Sequence, residues 1–277
     1  TKVKNRFDIT DKFNIPFLGD IPRALTPNEI VDTTSRTSTA EALRIVRANL
    51  EYMLTQVPDD RAKSVFVTST IPGEGKTFLS VNLASIFAHS GKKVLLIGMD
   101  IRKPKLNEYV GISDPKGLTD YLSAKNIPIT NFITPMKGYE AFDVLLGGII
   151  PPNPTEMLMS KKVDELFTQF KKEYDYIVID TAPTLLVTDA LTISQFADVT
   201  LFVVRADFTE KKLIQYSLEL KQKGKLKNLA YVLNNVGVNV GYRYNYGYGY
   251  GYGYGYGEDI EKTSRFKEIF NKLFKKA

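Results

Sequence analysis

SVFVTSTIPGEGKT, residues 64–77, is the stretch that decides the fold. Residues 64–69 are an apolar, β-branched run of strand length, and from Lys76 onward the apolar spacing becomes helical. Between them lies a loop whose core is Gly73-Glu74-Gly75-Lys76-Thr77. Strand, glycine-bearing loop, Lys-Thr and helix in that order are the context of a phosphate-binding loop. The glycines let the backbone wrap so that its N–H groups face the β-phosphate, at the positive end of the helix. Lys76 is expected to reach the β- and γ-phosphates of ATP and Thr77 to offer a hydroxyl to Mg²⁺. Gly73, Glu74, Gly75 and Phe78 complete the expected nucleotide contacts, although Thr70 stands at the usual first glycine position.

Outward from this unit, strands and helices alternate. A helix is expected over 76–89, a strand over 94–99 (VLLIGM) and a short one over 143–146. A helix over 155–171 leads to the strand YIVI (176–179), which ends in Asp180. The strand VTLFVV (199–204), a helix over 210–223 and the strand LAYVL (229–233) close the series. Ahead of the loop, Leu43, Val46, Leu50 and Met53 recur at helical spacing from Ser38. Short apolar strands separated by helices indicate an α/β fold, a P-loop NTPase with a mostly parallel sheet flanked by helices on both faces. Ligands of such sheets bind beyond the carboxyl ends of the strands. The chemistry is therefore expected just after Ser69, Met99, Ile179 and Leu233.

Two acids stand there, Asp100 in IGMDIRKP (97–104) and Asp180 in VIDTAP (178–183). Beside a phosphate-binding loop, such carboxylates hold a metal ion and orient or deprotonate a nucleophile. Their plainer reading is a helix cap or turn residue. Asn234 and Asn235 follow the last strand, where either a base-contacting amide or a turn residue belongs. His89 reads as a helix-terminal residue.

Composition narrows the chemistry further. The 277 residues include no cysteine, no tryptophan and one histidine. A disulfide framework, a thiolate zinc site, a cysteine nucleophile and histidine-based triads are thereby excluded. Carboxylates, hydroxyls, lysine and a magnesium-type ion remain. The 37 basic and 31 acidic residues are mixed along the chain, without the basic arm of a nucleic-acid binder, so no nucleic-acid partner is expected. No run of about 18 apolar residues exists to span a bilayer. Tyrosine stands out. Of sixteen, eight fall in the near-alternating Tyr–Gly segment 241–257: Tyr242, Tyr244, Tyr246, Tyr248, Tyr250, Tyr252, Tyr254 and Tyr256. Such a segment builds no core and reads either as a flexible tether or as a sticky aromatic segment for assembly. Residues 258–277 are basic, with Phe266, Ile269, Phe270, Leu273 and Phe274 on one helical stripe that docks on the domain or touches acidic lipids. The expected organisation is an arm (1–37), a P-loop domain (38–238), the tail (239–257) and an amphipathic helix (258–277).

Together these features resemble the bacterial tyrosine kinases of capsule and exopolysaccharide polymerisation systems. The resemblance rests on VTSTIPGEGKT (67–77), IGMDIRKP, VIDTAP with Thr188-Asp189-Ala190, PPNPTEML (151–158) and the tyrosine tail. It implies an ATP-dependent protein-tyrosine kinase in which Lys76, Asp100 and Asp180 are catalytic and Thr77, Asp100 and Asp180 hold magnesium. Where family members commonly carry a further acid, two residues before Asp100, this chain has Gly98. Glu41, Arg44 and Arg47 match the family's E-x-x-R-x-x-R motif, which implies a ring, octamer-like homo-oligomer. Local ion pairs on a solvated helix are the plainer reading of that motif. The resemblance further implies autophosphorylation of the eight tail tyrosines in trans and a cognate tyrosine phosphatase. Residues 5–22 resemble the linker after a transmembrane helix, so the chain is expected to be the cytoplasmic domain of an inner-membrane protein, with a separate kinase recruited by a membrane activator as the alternative. Two other functions suit the same loop and acids: a MinD/ParA-type ATPase dimer switch, or a nucleotide-dependent assembly scaffold. The former usually bears a second lysine early in the loop, and none lies between Ser69 and Lys76.

Overall fold

Where apolar and β-branched residues run together they form the strands of one sheet, in a computed structural model that describes residues 1–11, 14–26, 28–185 and 189–237. The strands are β1 (Phe17–Pro22), β2 (Lys63–Ser69), β3 (Val94–Gly98), β4 (Ile133–Pro135), β5 (Phe142–Leu145), β6 (Tyr176–Asp180), β7 (Val199–Arg205) and β8 (Leu229–Val236). Their spatial order is β1-β8-β7-β2-β6-β3-β5-β4. Every pairing is parallel except the antiparallel edge pair β4–β5. All residues of β3 and β6 are buried, as are all but the first of β2 and all but the last of β7. Such strands are covered on both faces, which is why they read as continuous apolar runs. The expected α/β architecture is the observed one.

The helices are α1 (Phe7–Thr10), α2 (Ser38–Met53), α3 (Lys76–His89), α4 (Leu106–Val110), α5 (Leu118–Ser123), α6 (Pro154–Leu158), α7 (Lys161–Glu173), α8 (Asp189–Ile193) and α9 (Lys211–Gln222). The N-terminus of α2 is capped by Thr37, whose hydroxyl accepts from the Ala40 N–H at 3.1 Å. One core joins Leu43, Val46 and Leu50 of α2, Leu79 and Phe87 of α3, and inward residues of the central strands.

Two expectations change. The helix expected over 155–171 is two helices, because Ser160 takes an extended backbone (φ −69°, ψ 147°) between α6 and α7. The apolar spacing continues across that break, so periodicity alone runs through it. Residues 1–37 do not stand apart as an arm. β1 adds a parallel edge strand to β8, and Leu18, Ile21 and Val31 are in the core. The chain divides into two units, Thr1–Val238 and Asn239–Ala277. The tail tyrosines, the amphipathic stretch and Thr188 lie outside the described residues.

Candidate active site

The chain enters α3 through two glycines of positive φ, Gly73 at +83° and Gly75 at +101°. Only glycine adopts that backbone without strain, and at Gly75 a Cβ would also lie 1.9 Å from Asn234 Nδ2. The Asn234 amide donates to the Glu74 carbonyl at 3.0 Å, tying the loop to β8. From the end of β7, Arg205 donates to the Gly73 carbonyl at 2.7 Å. Glu74 itself turns inward, accepting from the Ile71 N–H at 2.8 Å and from the Thr209 hydroxyl. Burial pushes its carboxyl above the usual range. The Glu74 side chain thus shapes the loop from within the protein instead of facing a phosphate.

Lys76, the first residue of α3, is buried and donates to Ser69 Oγ at 3.1 Å. Burial pulls its pKa down against the pull of Asp180, Glu74 and Asp100. Thr77 donates to Asp180 Oδ2 at 2.9 Å, and Ser80, one turn along α3, donates to Oδ1 at 3.2 Å. Burial pushes Asp180 up to about 6, with Lys76 and the two hydroxyls drawing it back. Both departures have one cause: a cation and a carboxylate are removed from water without a full counter-charge. Asp100 is half-buried at the end of β3 and accepts from the Lys103 N–H at 3.1 Å. Burial raises its carboxyl too.

Lys76, Thr77, Asp100 and Asp180 line a cleft of about 920 Å³, together with Phe78 and Asn234. It lies beyond the carboxyl ends of β2, β3, β6 and β8, where sheets of this kind bind ligands. Gly98 pairs with Asp180 in register, and a Cβ there would come 3.1 Å from the Gly147 nitrogen and 3.2 Å from Leu106 Cδ2. No second acid fits at that position unless its neighbours shift. Among the described residues no group of three or more His, Cys, Asp or Glu is placed to hold a metal. A magnesium ion that arrives with a nucleotide needs less, one or two carboxylates with hydroxyl and phosphate oxygens. Thr77, Asp180 and Asp100 fit that set, since the buried carboxylate already holds the Thr77 hydroxyl and its charge is poorly compensated.

An AAA-domain family model matches residues 62–231. Tyrosine-protein kinase YwqD of Bacillus subtilis is 36% identical over 207 residues, covering 75% of this chain and 85% of that protein. The chain belongs to the bacterial protein-tyrosine kinases. A putative tyrosine-protein kinase in the cps region of Klebsiella pneumoniae is 34% identical over 71% of this chain, and the match spans 26% of that protein. Among solved structures, the kinase domain of Escherichia coli tyrosine kinase ETK superposes with a TM-score of 0.75 at 26% identity, over 92% of this chain and all of that one. The septum site-determining protein MinD of Pyrococcus horikoshii, in complex with Mg-ADP, shares the fold at 22% identity and a TM-score of 0.54.

Several residues of the kinase cleft escaped the sequence. Arg23, Ala24, Leu25 and Thr26, just past β1, form part of its wall, with the Arg23 N–H bonded to the Val236 carbonyl at 3.0 Å. Nothing local marks them. Ser80 could have been found, since four residues after Lys76 is the same helix face. Arg205 could have been found as well, because it ends β7 as Asp180 ends β6. Asn235 lines the cleft with a φ of +60°, a conformation asparagine tolerates better than most residues.

On α2, Arg44 Nη1 lies 2.6 Å from Glu41 Oε1, and Nη2 donates to the Ser35 carbonyl at 2.9 Å. Arg47 Nε lies 3.2 Å from Glu51 Oε2. The motif's charges are thus paired within their own chain.

Proposed function

We propose that this kinase transfers the γ-phosphoryl group of ATP to the eight tail tyrosines of a neighbouring copy, within a ring assembled through α2, and so regulates capsule or exopolysaccharide synthesis. The observation that carries the reading is the floor of the cleft. There a P-loop hydroxyl, Thr77, is bonded to the buried strand-end carboxylate Asp180, with Lys76 and Asp100 beside them.

The residues divide the work. Backbone N–H groups of the loop and the start of α3 receive the phosphates, and Lys76 follows the β- and γ-oxygens. Thr77, Asp180 and Asp100 would hold magnesium, which neutralises charge on the transferring group. In-line transfer then needs positioning more than covalent help. The acceptor phenol, with a pKa of about 10, loses its proton late in the transfer. Asp100, whose carboxyl is raised above the usual range by burial, would take that proton where it is not itself bound to the metal. The bond from the γ-phosphorus to the bridging oxygen breaks as the bond to the phenolic oxygen forms, and ADP leaves.

Tail phosphorylation adds up to two negative charges per tyrosine, and repulsion among them would open the ring. A cognate tyrosine phosphatase would reset the cycle, and an inner-membrane partner or segment would place the domain on the cytoplasmic side. Among the described residues no helix is long and apolar enough to cross a membrane.

The test is incubation of the purified full chain with Mg-ATP, followed by mass-spectrometric mapping of phosphotyrosine. Phosphate is expected on residues between Tyr242 and Tyr256, with transfer falling about a hundred- to a thousandfold in Lys76→Met. A metal-supplied wild type that acquires no tyrosine phosphate would overturn the reading. Native mass spectrometry should show large oligomers before phosphorylation and monomers once several tail tyrosines carry phosphate.

A further inference from the structure

The cleft is more positive than its nucleotide requires. Lys76, Arg23, Arg102, Lys103, Lys105 and Arg205 line it against the carboxylates of Asp100 and Asp180. Mg-ATP brings a net charge of roughly −2, so the loaded cleft still carries excess positive charge. Lys103 and Lys105 stand three and five residues beyond Asp100, and all three line the cleft. Both are exposed, and among the described residues neither joins an ion pair. Lys103 does act electrostatically on the Asp100 carboxylate.

The acceptor segment has the opposite character. Between Gly241 and Gly257 the only charged residue is Arg243, so the unmodified tail offers a cationic wall nothing to attract. Each transfer supplies up to two negative charges at a fixed place. Tyrosines recur at every second position of the tail, and in an extended chain such residues are about 7 Å apart. A tail that presents its next hydroxyl to Asp100 would thus carry its last phosphotyrosine about 7 Å away, and Lys103 and Lys105 line the same cleft.

We propose that Lys103 and Lys105 form a phosphotyrosine-holding wall that captures the tail of a second copy once it carries its first phosphate and presents its next tyrosine to Asp100. The proposal rests on the tail being the acceptor. It makes phosphorylation self-reinforcing: the first transfer to a tail is the slow one, and later transfers follow from a held substrate. Two ammonium groups suit this task, because a point charge on a flexible stem follows a phosphate through several positions along a moving chain.

The experiment uses the full chain with its eight tail tyrosines replaced by phenylalanine (Tyr242→Phe to Tyr256→Phe), saturated with Mg-ADP. Binding of the peptide of residues 245–253, NYGYGYGYG, is measured with no phosphate and with one phosphotyrosine. The phosphopeptide is expected to bind about tenfold more tightly at low salt, with the gap closing at high salt. With Mg-ATP, the KM for the next transfer should fall by a similar factor. The double variant Lys103→Glu, Lys105→Glu should abolish the preference while Mg-ADP affinity stays within about twofold. Equal affinity for the two peptides overturns the proposal, as does a collapse of Mg-ADP binding in the double variant, which would assign the lysines to the nucleotide. A kinase that leaves the unphosphorylated peptide unmodified refutes the tail as acceptor. One that modifies it without favouring the phosphopeptide refutes only the holding wall.

Discussion

At the carboxyl end of the sheet Asp180 is buried with two hydroxyls as partners, whereas on α2 Arg44 and Arg47 keep about 30% of their side-chain surface exposed and pair with acids one turn away. The two regions hold charge in opposite ways. In the cleft, burial leaves cation and carboxylate short of counter-charge, a cost that an incoming phosphate and metal would offset. On α2 the ion pairs are surface pairs, worth about 0.5 kcal/mol each, so they exchange partners at little cost. A site built to bind a small charged ligand is strained until the ligand arrives. Exposed pairs like those on α2 can be given up to another partner at little cost.

The largest effect is expected at the loop itself. Gly75→Ala combines a left-handed backbone with a Cβ 1.9 Å from the Asn234 amide, and is expected to cost about 2–4 kcal/mol. Denaturant unfolding would record that loss, and nucleotide binding should disappear with it. If the variant is as stable as the wild type, the loop is not held as tightly as its contacts imply.

Asp180→Asn separates strain from function. Transfer should fall to background, while thermal unfolding of the nucleotide-free protein at neutral pH should shift upward by a few degrees. The sign follows from the burial-raised carboxyl, pushed up to about 6 from an ordinary 3.8. Between those values the folded protein holds its proton more tightly than the unfolded chain, so stability falls as pH rises through that window. The variant should lose this slope. Unfolding curves from pH 4 to 7 would show whether it does, and an unchanged slope would place the strain elsewhere.

The smallest effect on stability is expected on α2. Arg44→Ala with Arg47→Ala should lower stability by about 1 kcal/mol or less, yet abolish large assemblies in native mass spectrometry. A double variant that still assembles would leave the E-x-x-R-x-x-R stretch as an ordinary solvated face.

Legibility in the sequence followed the same division between local and distant. The loop, the helix it opens and the strand-end acids were readable because each is a short run with its own period or punctuation. Ser69, Lys76 and Asp180 stand where the strand pattern places them. β1 was not readable. FLGDIP contains glycine, aspartate and proline, which are depleted from strands. It forms nonetheless because an edge strand pairs on one side only and tolerates proline there. The break at Ser160 was hidden by apolar spacing that continues through it.

Hydrophobic period and loop chemistry act over a few residues, so the alternation of strands and helices, the phosphate-binding loop and the acids that face it are all written locally in the chain. Which distant groups hold that loop depends on how the chain folds back on itself. Asn234 reaches the Glu74 carbonyl across 160 residues, Thr209 reaches its carboxylate across 135, and residues 23–26 close one side of the cleft. Such contacts exist because the parallel sheet brings the ends of strands far apart in sequence to one edge, and no local pattern records which of them will meet.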